Sequence, residues 1–156
     1  GRNMILWDGA CMVHETFSAK LVKDLLREHP DAVFIAHPES EEPVLEVAEY
    51  IGSTTGLLKH TISNPAKKFI VATESGILHQ MRKASPDKEF FVAPSIKHGQ
   101  ACQACGDCPH MKLNTMEKLY NCLKDEAPEI FFPEDVIKAA KAPIDRMMEI
   151  SAKYGL

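Results

Sequence analysis

Short apolar runs alternate along this chain with segments whose apolar residues recur every three or four positions. The runs Asn3–Trp7, Ala32–Ala36, Phe69–Ala72 and Glu89–Ala93 are bounded by turn-forming or charged residues and read as buried strands. Between them, Ser18 to His29 places Leu21, Val22, Leu25 and Leu26 on one face and Lys23, Asp24, Arg27 and Glu28 opposite, with Pro30 as a stop. Pro43 to Ile51 predicts a second helix, striped by Val44, Val47, Ala48 and Ile51 and ended by Gly52. Thr54 to Ile62 and Ile77 to Ala84 predict two more. This alternation predicts an α/β fold: a three-layer αβα sandwich built of right-handed βαβ units around a parallel sheet.

The pattern changes after Pro94. Ser95 to His110 is polar, rich in glycine and cysteine and without a period, so it reads as a functional loop or linker. Asn114 to Lys124 and then Pro133 to Tyr154, interrupted near Pro143, predict a C-terminal helical tail. The stripe Ile144, Met147, Met148 and Ser151 reads as core packing, and Cys122 as a small core residue. No internal repeat or low-complexity segment is present.

Composition narrows the class. With 156 residues, 45% hydrophobic and 26% charged, the chain can bury one sizeable core, as one domain or two small lobes. The formal charge of -4 is spread among interspersed acids and bases, so no basic face offers itself to nucleic acid. No apolar run approaches the roughly 20 residues that span a bilayer, and the N-terminus lacks the pattern of a signal peptide. A cytoplasmic protein is the expectation; the oligomeric state is not set by the sequence. Five cysteines, three of them in Cys102-x-x-Cys105-x-x-Cys108, fit reduced metal-binding thiols better than a disulfide framework.

Ligands of open parallel sheets bind at the C-terminal ends of strands, and the chemically versatile residues fall there. Cys11, His14 and Glu15 follow the first run, His37, Glu39 and Ser40 the second, and Thr73, Glu74 and Ser75 the third. A thiolate, two imidazoles and several carboxylates on one rim could bind metal, hold a carboxylate substrate and move protons. Singly, such a residue in a surface loop is more often merely solvated. Gly52-Ser53-Thr54-Thr55-Gly56 opens a helix with hydroxyls and free N–H groups suited to an anion, or else Ser53 is simply an N-cap. The cysteine run begins like a ferredoxin cluster motif but lacks its fourth cysteine. Zinc with His98 or His110, or a redox pair of Cys102 and Cys105, satisfies the same spacing.

Taken in order, Gly9-x-Cys11-x-Val13-His14-Glu15, Ala36-His37-Pro38-Glu39-Ser40, Gly52-Ser53-Thr54, Ala72-Thr73-Glu74-x-Gly76, the triple-cysteine run and Cys108-Pro109-x-Met111-x-x-Asn114 resemble the quinolinate synthase family. The resemblance implies condensation of iminoaspartate with dihydroxyacetone phosphate to quinolinate in NAD biosynthesis, on a 4Fe-4S cluster held by three cysteines with one iron open as a Lewis acid. It implies Cys11 and Cys108 as cluster ligands, and Cys102 and Cys105 as extra cysteines that are either a redox pair or inert. It further implies His14, His37 and Glu39 in the active site, the histidines holding substrate groups and Glu39 transferring protons, with Ser53 and Thr54 at the anionic end of a substrate. The family is built of three αβα domains around a pseudo-threefold axis. On that plan residues 1–12 finish one domain, 13–94 form another, and 95–156 carry the cysteine loop and helices that return to an N-terminal domain preceding Gly1. The third ligand cysteine would lie in that domain, so the isolated polypeptide is expected to be inactive. The competing expectations are a non-catalytic zinc or iron–sulfur module and an anion-binding domain.

Overall fold

The computed structural model describes residues 5, 9–97, 100–102 and 106–155. Four strands, β1 (Ala32–Ala36), β2 (Tyr50–Ile51), β3 (Lys68–Ala72) and β4 (Glu89–Val92), form one parallel sheet in the order β2-β1-β3-β4. Helices α1 (Ala19–Glu28), α2 (Glu42–Leu45), α3 (Thr54–Ser63) and α4 (Ile77–Ala84) alternate with the strands. The α/β sandwich read from periodicity is therefore the architecture.

Strand alternation splits the core in two. In the β1–β3 register Phe34 pairs with Ile70 and Ala36 with Ala72, and these residues pack with Val22 of α1, Val44 of α2, Val13 and Phe17. The neighbours between them, Ile35 and Val71, together with Phe69, face Leu57 of α3 and Leu78 and Met81 of α4. Each large side chain removed from water in this way contributes about 1.5–3 kcal/mol before chain entropy is set against it. Ser18 caps α1, its hydroxyl accepting from Leu21 N–H at 3.4 Å.

Two expectations about these elements are corrected. The helix read from Pro43 to Ile51 stops at Leu45, because Glu49 N–H donates to Phe34 carbonyl at 2.9 Å and Tyr50–Ile51 pair with Ile35–Ala36 as an edge strand. Val47 and Ala48 still pack on the core, which is why the helical stripe misled. The segment read as a loop or linker contains an antiparallel hairpin, β5 (Ser95–Lys97) with β6 (Gln100–Cys102), and a 3-10 turn at Met111–Leu113 follows it. The run Asn3–Trp7 lies outside the described residues except Ile5, which is fully exposed and not in a strand.

The chain divides into two compact units, Gly1–Leu113 and Asn114–Leu156. The second contains α5 (Met116–Asp125) and α6 (Glu134–Tyr154). Helix α6 continues through Pro143, where an interruption was expected; only the bond from residue 143 to the Ala139 carbonyl is lost, and that carbonyl belongs to an exposed residue that water can reach. Cys122 and the stripe Ile144, Met147 and Met148, expected in a core, are exposed. No described helix is long and apolar enough to cross a membrane.

Candidate functional site

The C-terminal ends of the parallel strands set out the rim. Hydrogen bonds from Gly52 N–H to Ala36 carbonyl, His37 N–H to Ala72 carbonyl and Ala93 N–H to Val71 carbonyl, 2.9–3.1 Å long, carry the ladder one residue past each strand. The loops after β2, β1, β3 and β4 are thereby held side by side, with Ser53, His37, Thr73 and Pro94 in sequence along the edge.

Over the middle of this edge sits a short 3-10 turn, His14–Thr16, in which Glu15 N–H donates to Cys11 carbonyl at 3.1 Å. The apolar Val13 and Phe17 on either side are buried in the core and anchor it. The turn delivers His14, itself buried, so that Nε2 lies 3.2 Å from Thr73 Oγ1. Its other nitrogen, Nδ1, lies 3.0 Å from Glu39 Oε2 but off the direction of a good hydrogen bond, and has no aligned partner. Burial, reinforced by the neighbouring His37, holds the His14 pKa below 6.5 against the opposing pull of Glu39.

His37 and Glu39 come from the loop after β1, where Ser40 N–H closes a turn on His37 carbonyl at 3.0 Å. His37 stacks flat on His14, and its Nδ1 accepts a long 3.4 Å bond from Glu39 N–H. A neutral His37 with Nδ1 occupied in this way carries its proton on Nε2 and can donate from there. Cys11, His14 and Glu39 each offer one ligand atom within 4.8 Å of the others. A thiol, an imidazole and a carboxylate so placed can hold a transition-metal ion.

Cys108 reaches the rim from the other side of the cysteine segment. Ser75 N–H donates to Gly106 carbonyl at 2.9 Å, Ser75 Oγ donates to Asp107, and Lys112 Nζ lies 3.4 Å from Glu74 and 3.9 Å from Asp107. A Cβ at residue 106 would come within 3.0 Å of Val92 and 3.2 Å of the Thr73 carbonyl, so glycine is needed for this close approach. Cys11 and Cys108, both free thiols, pack against the same core cluster as the inner face of β1.

The candidates read from sequence thus separate. Cys11, His14, His37 and Glu39 are brought together, and Cys108 packs on the core cluster that Cys11 also touches. Ser53 is the N-cap of α3, its hydroxyl accepting from Gly56 N–H at 3.2 Å, and Thr54 opens that helix on the flank of the rim. Cys102 falls in β6, while Cys105 lies outside the described residues. Sequence reasoning passed over Thr73 as an individual site residue. Its position directly after a buried strand was the available signal, and only the fold shows that its hydroxyl orients His14.

The comparisons with known proteins bear on this rim as a whole. The family model for Quinolinate synthetase A protein matches residues 1–149. The chain belongs to the quinolinate synthase family. It is 53% identical over 152 residues to the quinolinate synthase of a Synechococcus strain, covering 97% of this chain and 47% of that relative. It is 52% identical over 151 residues to the quinolinate synthase of Microcystis aeruginosa and 51% identical over 151 residues to that of Chloroherpeton thalassium, in each case covering 97% of this chain and 46% of the relative. The chain therefore spans about half the length of the quinolinate synthases it matches, and Cys11, His14, His37, Glu39, Thr73 and Cys108 all lie within the span matched by the family model.

Proposed function

We propose that this chain supplies the His14, His37 and Glu39 side of a quinolinate synthase active site, which condenses iminoaspartate with dihydroxyacetone phosphate to give quinolinate. The observation that carries the reading is the convergence of Cys11, His14, His37 and Glu39 at the C-terminal rim of the sheet in a chain of this family.

The donor chemistry suits an iron–sulfur centre: Cys11 and Cys108 are uncommitted thiols resting on one apolar cluster, and beside Cys11 stand an imidazole and a carboxylate. Cys11 and Cys108 would hold a 4Fe-4S cluster together with a third cysteine from residues outside this chain, and the cluster would supply an open iron as Lewis acid. Cys102 and Cys105 are then a redox pair or inert thiols. The chain's own residues do the rest. His37 donates from Nε2 to a substrate carboxylate or hydroxyl. His14, kept neutral by burial and oriented by Thr73, does the same without adding a charge that would fix the substrate too tightly. Glu39, with an exposed carboxylate, takes and returns protons as the imine condenses and water leaves. Ser53, Thr54 and the N-terminus of α3 receive the phosphate end.

In the three-domain plan, residues 1–12 complete one domain, 13–94 form the second, and 95–156 return to a first domain. The exposed apolar residues of α5, α6 and the segment between them, among them Leu123, Ile144 and Phe131, support that reading, because a face of this kind is ordinarily covered. The reading also places the protein in the cytoplasm, where reduced thiols persist.

The test is to join this chain to the N-terminal half of the Synechococcus relative, reconstitute with iron and sulfide under anaerobic conditions, and measure quinolinate. The joined protein should be brown and active, and Cys11→Ser or Cys108→Ser should abolish both properties. The chain alone should make no quinolinate. A joined protein that holds a cluster yet forms no quinolinate from the two substrates would refute the proposal.

A further inference from the structure

Gly52, Gly56, His60 and Asn64 recur at intervals of four through α3 and its two ends, a spacing that puts Gly56 and His60 on one face of the helix. The Tyr50 ring of β2 lies along that face. From this juxtaposition we propose that Tyr50, held by His60 and Asn64, is a positioning residue for the phosphate end of the substrate: it fixes residues 52–56, which carry Ser53 and Thr54. This role rests on the phosphate subsite proposed above at Ser53, Thr54 and the N-terminus of α3.

The ring makes two contacts that matter. His60 stacks on it nearly parallel, with centroids 4.1 Å apart and planes 5° apart. Its hydroxyl end presses on the backbone of the loop: a Cβ at residue 52 would stand 2.8 Å from Tyr50 Cε1, and one at residue 56 would stand 3.1 Å from Tyr50 Oη. The same Cβ at residue 56 would be 3.5 Å from Ser53 Oγ, so the Tyr50 hydroxyl and the capping hydroxyl of Ser53 flank one backbone position. Glycine inside a helix is less favourable than alanine, and the room that the Tyr50 ring takes is what requires it at Gly56.

His60 is itself fixed. Asn64 Oδ1 accepts from Ala66 N–H at 2.9 Å, so the amide nitrogen is the group that meets His60 Nε2 at 3.1 Å. The amide donates, Nε2 accepts, and the proton of the ring sits on Nδ1. Burial, which holds the His60 pKa below 6.5, favours the same neutral ring. Asn64 is tied down in turn by its own N–H on the His60 carbonyl at 2.9 Å and by Lys88 on its carbonyl at 2.6 Å. The C-terminal end of α3 thus reaches, through two stacked rings, the loop at its N-terminal end.

Ser53, Thr54 and Thr55 are exposed, and the glycines on either side leave their backbone free to turn unless something holds it. The N–H groups of Thr54 and Thr55, the first of a helix, have no carbonyl within the helix to bond. An anion gains from such groups only while they converge on one point, and Tyr50 keeps that point in place.

Two measurements test this role apart from the subsite itself. The 156-residue chain is titrated with inorganic phosphate while the amide signals of Thr54, Thr55 and Gly56 are followed by NMR. Phosphate is expected to shift those signals. Tyr50→Leu and His60→Ala should each weaken its binding about tenfold, within the roughly 10²-fold that a displacement of about 1 Å can cost. The conservative Tyr50→Phe keeps the stack and restores the affinity of the unaltered chain. In the joined, cluster-loaded protein Tyr50→Leu should raise the KM for dihydroxyacetone phosphate about tenfold and leave that for iminoaspartate unchanged, a split that general damage to the fold does not produce. Should Tyr50→Leu disturb the β2 edge, His60→Ala decides, because His60 lies outside the sheet. Unaltered phosphate affinity in both variants overturns the proposal and leaves the phosphate subsite standing. A loss in Tyr50→Phe as large as in Tyr50→Leu also overturns it, since the hydroxyl would then bind the anion directly. No phosphate shift at α3 in the unaltered chain overturns the subsite at Ser53 and Thr54, and the role of Tyr50 with it.

Discussion

The His14 ring lies face to face with the His37 ring, their centroids 4.5 Å apart and their planes 9° from parallel. Two stacked imidazoles cannot both be charged cheaply, and burial already disfavours the cation at His14. Glu39, which faces both rings, opposes the effect without reversing it.

The first prediction concerns pH. The folded pKa of His14 lies below the ordinary 6.5, so the unfolded chain binds the proton more readily. Its contribution to stability is complete above about 6.5 and declines as pH falls from there toward the lowered folded value. His60, also depressed chiefly by burial, adds in the same direction. Urea midpoints should fall between about pH 7.5 and pH 5, and the His14 ring signals in an NMR titration should move at lower pH than free histidine. A His14 midpoint above 6.5 would contradict the assigned causes.

The second prediction concerns the clasp that seats Cys108. Lys112 bridges Glu74 and Asp107, and Ser75 bonds Asp107 and Gly106. Lys112→Met with Ser75→Ala should loosen residues 106–113 and raise the alkylation rate of Cys108 several-fold. Cys122, already exposed, serves as the unchanged reference. Lys112→Arg should restore slow alkylation, and equal rates in all three proteins would show that the clasp does not hold the segment.

The third concerns Lys88. Its ammonium donates to the Thr61 and Asn64 carbonyls at 2.6 Å each, at the end of α3, and lies 5.5 Å from the Phe69 ring centre. Lys88→Met keeps most of the stem but leaves those carbonyls without the cation, and should cost about 1–3 kcal/mol in chemical denaturation. No measurable loss would mean that water replaces the ammonium fully.

The fourth concerns Gly52. A Cβ there would stand 2.8 Å from the Tyr50 ring, which stacks on His60 at 4.1 Å. Gly52→Ala should therefore displace Tyr50 and destabilise the β2 edge by about 1–3 kcal/mol. A double change, Gly52→Ala with Tyr50→Val, should recover part of the loss, whereas failure to recover any would place the strain elsewhere.

The fifth concerns the second compact unit. Phe132, Val136, Ile137 and Ile144 line an apolar hollow on α6, and each is at least 45% exposed. A hydrophobic dye should fluoresce on binding the isolated chain, and Ile137→Lys with Ile144→Lys should reduce the signal by more than half of its value. An unaltered signal would locate the dye elsewhere.

Much of this protein follows from local pattern. Ser18 and the spacing of Val22, Leu25 and Leu26 specify α1 because a cap and an apolar stripe are properties of consecutive residues. The runs at β1, β3 and β4 are equally local, and the ordered motifs from Gly9 to Asn114 carry the family assignment. Other features depend on partners far along the chain. Tyr50 and Ile51 extend a helical pattern in sequence, but the vacant edge of β1 takes their backbone into the sheet. Cys122 and Met147 have core-like spacing, and whether such a face is covered depends on surfaces that spacing does not describe. The contact between His14 and Thr73 joins residues 59 positions apart. Composition and motif order determined which side chains are available for chemistry; the parallel sheet decided which of them meet, because it alone sets the ends of distant strands next to one another.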